Sequence, residues 1–411
     1  MSSDPISLSR LRWDRPPVVV LGDLGLIRPL GWARIPVILA TPAPDGIASR
    51  SRYLVGCCRI PELVSREARA EAAEVLVQLG AWLCQTLGLR VPLFCQSDKD
   101  LELLYEHREA LEQRFLFVLN EEDTAWALHD KQRFALLCQR LGIRAPRTVA
   151  PGEDAAARIA ELTPPLLVKP TRKTSWKELK RDLFDGSGKA RVFARREDLL
   201  AHPGYQRHRD EVIVQEHIPG GVERLLSFHA FAGWEGHLLG WFCGRKIRTF
   251  PAVAGESCFI EVIHHPACEA EGRAVMKTIG LRGPCKIDFI EDARTGQLYT
   301  LEINARFTLW NVLGAAAGVN LPRTAYDYLV DGRTPALELA PTLAPQRRRR
   351  WLNFYDDYRA FLEQRESGRM SVVRWLASIA DPTIVHEVFA LSDPRPFAHW
   401  VRQLVRSRLA A

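Results

Sequence analysis

The side chains best suited to chemistry lie in two neighbouring segments that are predicted to pair as a β-hairpin. Because successive side chains of a strand point to opposite faces, Lys286 and Asp288 are expected on one face of the first strand. Glu302, Asn304 and Arg306 are expected on one face of the second strand for the same reason. If both faces lie on one side of the sheet, two carboxylates and an amide meet beside two cations. Such oxygen ligands are those that Mg²⁺ prefers next to nucleotide phosphates.

Two lysines upstream belong to the same pattern. Lys131 lies in HDKQRF on a predicted helix, and Lys169 ends the apolar strand LLVKP. Either lysine alone is typical of a protein surface, but both precede the strand VIVQEHI, the turn PGGVE and the hairpin in a fixed order. Further on, Lys246 and Arg248 lie two residues apart in GRKIRTF. They are therefore predicted to share one strand face, which lines either the site or solvent.

The elements that precede these motifs are typical of an α/β domain. PVVVLG (17–22), VILAT and VPLFC are short apolar runs that predict buried strands, and FLFVLN (115–120) predicts another. Helices are predicted between them, including a long one over 62–88. The GxGxxG spacing of a dinucleotide fingerprint is absent after the first strand, which excludes a nicotinamide-binding domain of that kind.

Beyond Thr124 the pattern changes to that of a mixed domain. One helix is predicted over 126–141, because Gly142 is a typical residue to follow a helix end. PPLLVKP and ARVFA predict strands, and three β-rich runs between Leu225 and Ile263 predict an antiparallel sheet. The rest of the chain after the hairpin is predicted to be helical.

The order HDK, LLVKP, VIVQEHIPGGVE, KIDF and LEINAR resembles the ATP-grasp superfamily, over about Ala125 to Gly332. Within it the chain is most similar to the predicted carboxylate–amine ligases that include D-aspartate ligase. SRYL and SDKD in the opening lobe resemble the domain that precedes the fold in such ligases. The resemblance implies an α/β chain with an ATP-grasp fold, a βα N-terminal domain and a C-terminal helical extension. The implied domains are 1–124 (N-terminal), 125–215 (small lobe), 216–335 (catalytic lobe) and 336–411 (basic helical extension).

The resemblance also implies roles for individual residues. Those expected to bind the nucleotide are Lys131, Lys169, Gln215, Glu216, His217, Ile218, Glu223 and Lys286. Among them, the backbone and acidic side chain of the segment 216–218 are expected at the adenine amino group, and Glu223 at the ribose. The magnesium ligands are expected to be Asp288, Glu302 and Asn304. Arg306 is expected to steady the phosphorylated carboxylate as a catalytic residue, with Lys246 and Arg248 as further catalytic candidates.

The implied reaction uses ATP and Mg²⁺, for which Mn²⁺ could substitute. A small-molecule carboxylate is activated as an acyl phosphate and joined to an amine, with release of ADP and phosphate. The segment 171–189 resembles the loop that closes over the phosphates, although its glycines come late. The alternatives that stay open are an ATP-grasp carboxylase or kinase, and an ATP-binding scaffold without catalysis.

Composition limits the other classes. The chain has 411 residues and a net charge of +7, and no apolar run approaches the length of a membrane-spanning helix. A charged N-terminus and sparse cysteines favour a cytoplasmic protein. From Gln346 onwards 12 Arg stand against 7 Asp and Glu. The four arginines at 347–350 are weak grounds for nucleic-acid binding, and no nucleic acid is expected as a partner.

The last helix is predicted to be amphipathic and basic. Phe397, Trp400, Val401, Leu404 and Val405 fall on one side of it, with arginines elsewhere. Such a helix either docks on the catalytic lobe or lies on the inner face of an anionic membrane as a peripheral contact.

Overall fold

The computed structural model describes residues 14–171, 176–184, 189–252, 255–332 and 349–409. The first lobe is built around a parallel sheet in the order β3-β2-β1-β4-β5, whose strands are apolar because helices cover both faces. Its elements are β1 Val18–Leu21, α1 Leu24–Trp32, β2 Val37–Thr41, β3 Leu54–Arg59, α2 Arg66–Leu87, β4 Val91–Cys95, α3 Asp98–Glu106, α4 Arg108–Glu112 and β5 Phe115–Leu116.

Capping residues set the helix bounds in this lobe. Asp23, Ser65 and Ser97 accept backbone N–H bonds at the starts of α1, α2 and α3, and α2 ends at Gly88 with φ 72°. The predicted strands β1, β2 and β4 and the long helix are confirmed. The edge strand β3 was not predicted, and the strand predicted over 115–120 is wrong beyond Leu116.

The second lobe contains a four-stranded sheet in the order β6-β9-β7-β8. Its elements are α5 Glu122–His129, α6 Lys131–Leu141, β6 Thr148–Val149, α7 Ala155–Ala160, β7 Leu166–Pro170, α8 Trp176–Asp182, β8 Arg191–Phe193, α9 Arg196–Ala201, α10 Pro203–His208 and β9 Val212–Glu216. The single helix predicted over 126–141 is wrong, because Asp130 has extended backbone angles and caps a new helix at Lys131. The boundary predicted between residues 215 and 216 divides β9, so Glu216 belongs to this sheet.

A large sheet in the order β14-β13-β10-β11-β12-β15-β16 forms the third lobe. Its first part comprises β10 Leu225–Ala232, β11 Leu238–Phe250, β12 Glu256–Ile263, α11 Pro266–Ile279, β13 Gly283–Glu291, β14 Leu298–Asn304, α12 Trp310–Ala316 and α13 Leu321–Asp331. The predicted antiparallel runs and the hairpin β13–β14 are confirmed.

The C-terminal extension was predicted to be helical, but it also contributes two strands to the large sheet. It comprises β15 Arg350–Leu352, α14 Phe354–Glu366, α15 Val372–Ile379, β16 Val385–His386 and α16 Arg395–Leu409. β15 pairs with β12, where Leu352 lies opposite Phe259. The pairing buries the apolar side chain of Leu352. No helix among the described residues combines the length and apolarity needed to cross a membrane.

The extension is also tied to the first lobe through a buried arginine on α1. Arg28 is 1% exposed and donates to the carbonyl oxygens of Glu387 (2.9 Å) and Val388 (2.6 Å) and to the carboxylate of Asp393 (3.3 Å). Asp393 in turn accepts from the Ser51 hydroxyl at 2.8 Å. A buried charge is stable only with such a full set of partners, so this contact fixes the extension against the first lobe.

Candidate functional site

The hairpin β13–β14 brings the predicted polar residues together on one face. Asp288 lies directly opposite Glu302, and Lys286 directly opposite Asn304. Residues directly opposed in an antiparallel pair point to the same side of the sheet. The shared face predicted for these four residues is therefore confirmed.

Asp288 is the fixed centre of this face. It is 3% exposed, and it accepts from Lys286 Nζ at 2.5 Å and from the hydroxyl of Ser227 on β10 at 2.5 Å. Burial alone would raise its pKa, but Lys286 and Lys246 outweigh burial and hold the pKa of Asp288 well below its usual range. The carboxylate therefore stays ionised, and each oxygen keeps a lone pair for a cation.

The donor set fits Mg²⁺. Glu302 is exposed at the edge of the face, and Asn304 Nδ2 donates to Glu302 Oε1 at 3.3 Å, while the amide oxygen accepts one bond from Arg306 and keeps a second lone pair for a ligand. Within the described residues no group of three or more His, Cys, Asp or Glu side chains could hold a metal ion. A hard cation held here by Asp288, Glu302 and Asn304 would thus need further oxygens from water or phosphate, as Mg²⁺ commonly does at nucleotide sites.

Lys246 faces this cluster, whereas Arg248 does not. Burial and then Lys286 lower the pKa of Lys246, while Asp288 and Glu302 oppose them. Arg248 instead donates to both carboxylate oxygens of Asp357 on α14, at 2.6 and 3.0 Å. The strand face predicted to hold both residues is wrong, because the pairing of β11 with β12 shifts register between Lys246 and Arg248.

The two upstream lysines approach from the small lobe. Lys131 Nζ donates to the carbonyl of Pro170 at 2.9 Å, and Lys169 Nζ donates to Gln215 Oε1 at 3.3 Å. Burial lowers the pKa of Lys169 to about 8; Glu302 opposes this shift, and Lys131 and Lys246 add to it. Lys169 is therefore close enough to Glu302 and Lys246 for both charges to change its pKa. The small-lobe lysines thus lie opposite the hairpin face.

Strand alternation decides which residues at the end of β9 face Lys169. Gln215 bonds Lys169, and the pKa of His217 is lowered by burial and by the Lys169 charge. Glu216 points to the other face, where its carboxylate accepts from the backbone N–H of Thr163 at 2.8 Å. The expectation that the Glu216 side chain meets adenine is therefore wrong, and Gln215 takes its place on the inner face.

Two other predicted nucleotide contacts lie further along this segment. Ile218 is half-buried immediately after His217, and its backbone continues the path along the inner edge of the small lobe. Glu223 is exposed in a short turn of helix, with its carboxylate over Gly221. The segment 171–189 falls only partly within the described residues, since 172–175 and 185–188 lie outside them.

Arg306 connects the hairpin with the first lobe. Its guanidinium donates to Asp98 Oδ1 at 2.6 Å, to the carbonyl of Gln96 at 2.9 Å and to Asn304 Oδ1 at 3.2 Å. Gln96 also exchanges two 2.9 Å hydrogen bonds with Asp23, through Asp23 N–H and Asp23 Oδ1. Asp98 and Gln96 were missed as site residues.

Those three first-lobe residues lie where the parallel sheet reverses its strand order. Asp23 follows β1, and Gln96 and Asp98 follow β4. β1 and β4 are adjacent in the sheet, and from this pair β2 and β3 continue on one side and β5 on the other. Ligands of open α/β sheets bind in the crevice at such a point. The segment QSDKD directly after the strand VPLFC is the sequence feature that could have located Gln96 and Asp98.

Solved structures show which fold this chain has. No protein-family model matches the sequence, and neither does any curated protein. Among solved structures, the chain is similar to an L-amino acid ligase from Bacillus licheniformis, at 14% identity and a TM-score of 0.56 over 77% of this chain and 74% of that one. It is similar to an N5-carboxyaminoimidazole synthetase from Staphylococcus aureus, at 15% identity and a TM-score of 0.56 over 80% of both chains.

A third similar structure was solved with nucleotide. It is the biotin carboxylase domain of the 2-oxoglutarate carboxylase from Hydrogenobacter thermophilus, in complex with MgADP, ADP and bicarbonate, at 16% identity and a TM-score of 0.56 over 77% of this chain and 70% of that one. The chain has the ATP-grasp fold. In this ATP-grasp fold the four-stranded sheet supplies Lys169 and Gln215, and the large sheet supplies Asp288 and Glu302.

Proposed function

We propose that the protein is an ATP- and Mg²⁺-dependent ligase that activates a small-molecule carboxylate as an acyl phosphate and couples it to an amine. The observation that carries the proposal is the register of β13 with β14, which sets Asp288 against Glu302 and Lys286 against Asn304. Facing this set, Lys169 lies within the electrostatic reach of Glu302 and Lys246. Cations that surround a pair of carboxylates suit a nucleotide triphosphate with its metal.

The comparisons support the same reaction class. One similar protein is an L-amino acid ligase, and another was solved with MgADP and bicarbonate, whose planar CO₂⁻ group resembles that of a carboxylate. Mg²⁺ held by Asp288, Glu302 and Asn304 would neutralise charge on the β- and γ-phosphates. Lys131, Lys169 and Lys286 would add positive charge to the same phosphates, and Gln215 with the backbone at His217 and Ile218 would line the adenine.

The proposed reaction has two steps, formation of an acyl phosphate and its reaction with an amine. A carboxylate oxygen of the substrate attacks the γ-phosphorus, the bond from that phosphorus to the ADP oxygen breaks, and an acyl phosphate forms. The amine nitrogen next attacks the acyl carbon, the carbon–oxygen bond to phosphate breaks, and the amine loses a proton to solvent. Arg306 would bind the carboxylate and stabilise negative charge on its oxygens; its position between Asn304 and the crevice of the first lobe supports this role.

The substrates would occupy the crevice at Asp23, Gln96 and Asp98. Asp23 and Asp98 are carboxylates that suit an ammonium group, and Arg306 suits the acid. This combination favours substrates that carry both an amine and a carboxylate, such as amino acids.

The test is phosphate release from ATP against a panel of carboxylates crossed with amines, with mass detection of the adduct. ADP, phosphate and an amide are the expected products. Formation of AMP would reject the acyl-phosphate route, and phosphate release with bicarbonate alone would favour a carboxylase.

Nucleotide binding is expected to weaken as the pH rises above 8. Lys169 has a pKa of about 8 in the free protein, and contact with phosphate favours its charged form, so binding takes up a proton. The group is about three-quarters charged at pH 7.5 and about one-tenth charged at pH 9, which predicts roughly eightfold weaker binding at pH 9. Titration calorimetry of an ATP analogue at both pH values measures this, and Lys169→Arg should remove most of the dependence. An unchanged slope in that variant would assign the proton elsewhere.

Replacement of Arg306 by lysine is expected to impair use of the carboxylate and leave nucleotide affinity unchanged. A lysine keeps the charge, but its donors lie on one nitrogen and cannot span the positions from which Nε, Nη1 and Nη2 of Arg306 reach Asp98, the Gln96 carbonyl and Asn304. We expect kcat/KM for the carboxylate to fall about 100-fold. Steady-state kinetics with each substrate varied in turn gives the result. Equal loss of nucleotide affinity would contradict the assignment.

A further inference from the structure

A second concave surface lies on the first lobe, between α16 and the edge strand β3. It encloses about 540 Å³, and its lining includes Arg50, Arg395, His399 and Arg402. Ser49, Ser51 and Cys57 also line it. None of these residues has a part in the proposed ligase reaction.

The orientation of α16 is the reverse of that expected for a docked amphipathic helix. Arg395, Ala398, His399 and Arg402 face the groove, and their spacing of three, four and seven residues puts them on one side of the helix. Leu404, 43% exposed, lies on the opposite side of the helix, whereas Val401 and Val405, 37% and 51% exposed, follow Ala398 by three and seven residues and flank the groove side. The helix therefore directs its basic side towards the first lobe.

The positive charge in the groove is poorly balanced by the protein. Arg50 pairs with Asp45 at 3.0 Å, but Asp45 is 87% exposed at the rim. Within the described residues Arg395 and Arg402 form no ion pair. The Cys57 thiol adds no negative charge, because burial raises its pKa. Cations of like sign gathered in a concave surface repel one another, and an anion between them removes that cost.

We propose that this groove is a binding site for a small phosphate-bearing anion. Arginine recognises phosphate oxygens through paired N–H groups, and three arginines converge here from two elements. The volume lies in the range of small-molecule sites. We take the source to be a soluble phosphate ester, because arginines line the groove on both sides, Arg50 on one and Arg395 and Arg402 on the other.

Hydrogen exchange read by mass spectrometry tests the site locally, so that binding at the hairpin does not confuse the result. Inorganic pyrophosphate at 5 mM (about five times a millimolar Kd) should slow exchange about fivefold in peptides that cover 48–57 and 395–405. The double variant Arg395→Gln/Arg402→Gln should lose this slowing. Arg374→Gln, an exposed arginine on α15 outside the groove, should keep it.

The outcomes separate the possibilities. No slowing in the natural protein, or the same slowing in the double variant, would overturn the site. Co-sedimentation with phosphatidylglycerol vesicles that depends on Arg395 and Arg402 would overturn the soluble source. Because the readout is confined to the groove, the result does not depend on whether the ligase proposal holds.

Discussion

Glu302→Gln is expected to reduce turnover by roughly three orders of magnitude. Glu302 lies opposite Asp288 on the hairpin face, and the two are the only carboxylates of the described metal-ligand set. The amide keeps the shape of the side chain but removes one negative charge from that set, so a divalent cation and the triphosphate are held less firmly. Phosphate release from ATP with a productive substrate pair measures the effect.

The stability of this variant should change little, because Glu302 is exposed and a glutamine in its place can still accept from Asn304. Glu235→Gln, in the exposed turn between β10 and β11, is the matched control and should keep full activity. Unaltered turnover in Glu302→Gln would refute the metal assignment. Extra Mg²⁺ that restores part of the activity would strengthen it, since a weakened site fills at higher concentration.

The face of the hairpin could be predicted from the sequence because it depends on strand alternation alone. Lys286, Asp288, Glu302 and Asn304 are two residues apart within each strand, and regular pairing preserves that periodicity. Arg248 shows where the same rule fails. One irregular residue between Lys246 and Arg248 separates their surroundings, and short-range patterns do not reveal such a bulge.

Contacts between distant segments could not be predicted from the sequence for a different reason. Arg306 bonds Asp98, which lies 208 residues earlier, and nothing local to either residue specifies that meeting. The first-lobe crevice depends on a strand order that needed the edge strand β3, and LVGCCR was too weakly patterned to predict it. Likewise, β15 forms because Leu352 and Trp351 find apolar partners in the large sheet, although arginines precede them in the chain.

Asp357→Asn is expected to lower the free energy of unfolding by about 3–5 kcal/mol. Asp357 is fully buried, and its carboxylate accepts two bonds from Arg248 and one from the indole N–H of Trp375 at 2.8 Å. An amide can still accept from Trp375, but it cannot balance the charge of Arg248, a residue that is only 3% exposed. Unfolding in urea gives the value. Asp356→Asn, the partly exposed neighbour, should stay within about 0.5 kcal/mol.

The double variant Arg248→Met/Asp357→Asn separates a packing role of Arg248 from a catalytic one. Removal of the arginine removes the unbalanced charge, so most of the lost stability should return. If Arg248 serves only to hold α14 against β11, the double variant should also turn over at nearly the natural rate. Recovered stability together with lost turnover would instead indicate a catalytic role for Arg248. The register shift before Arg248 and its two bonds to Asp357 favour the first result, because a guanidinium held on that side of β11 is directed away from Lys246.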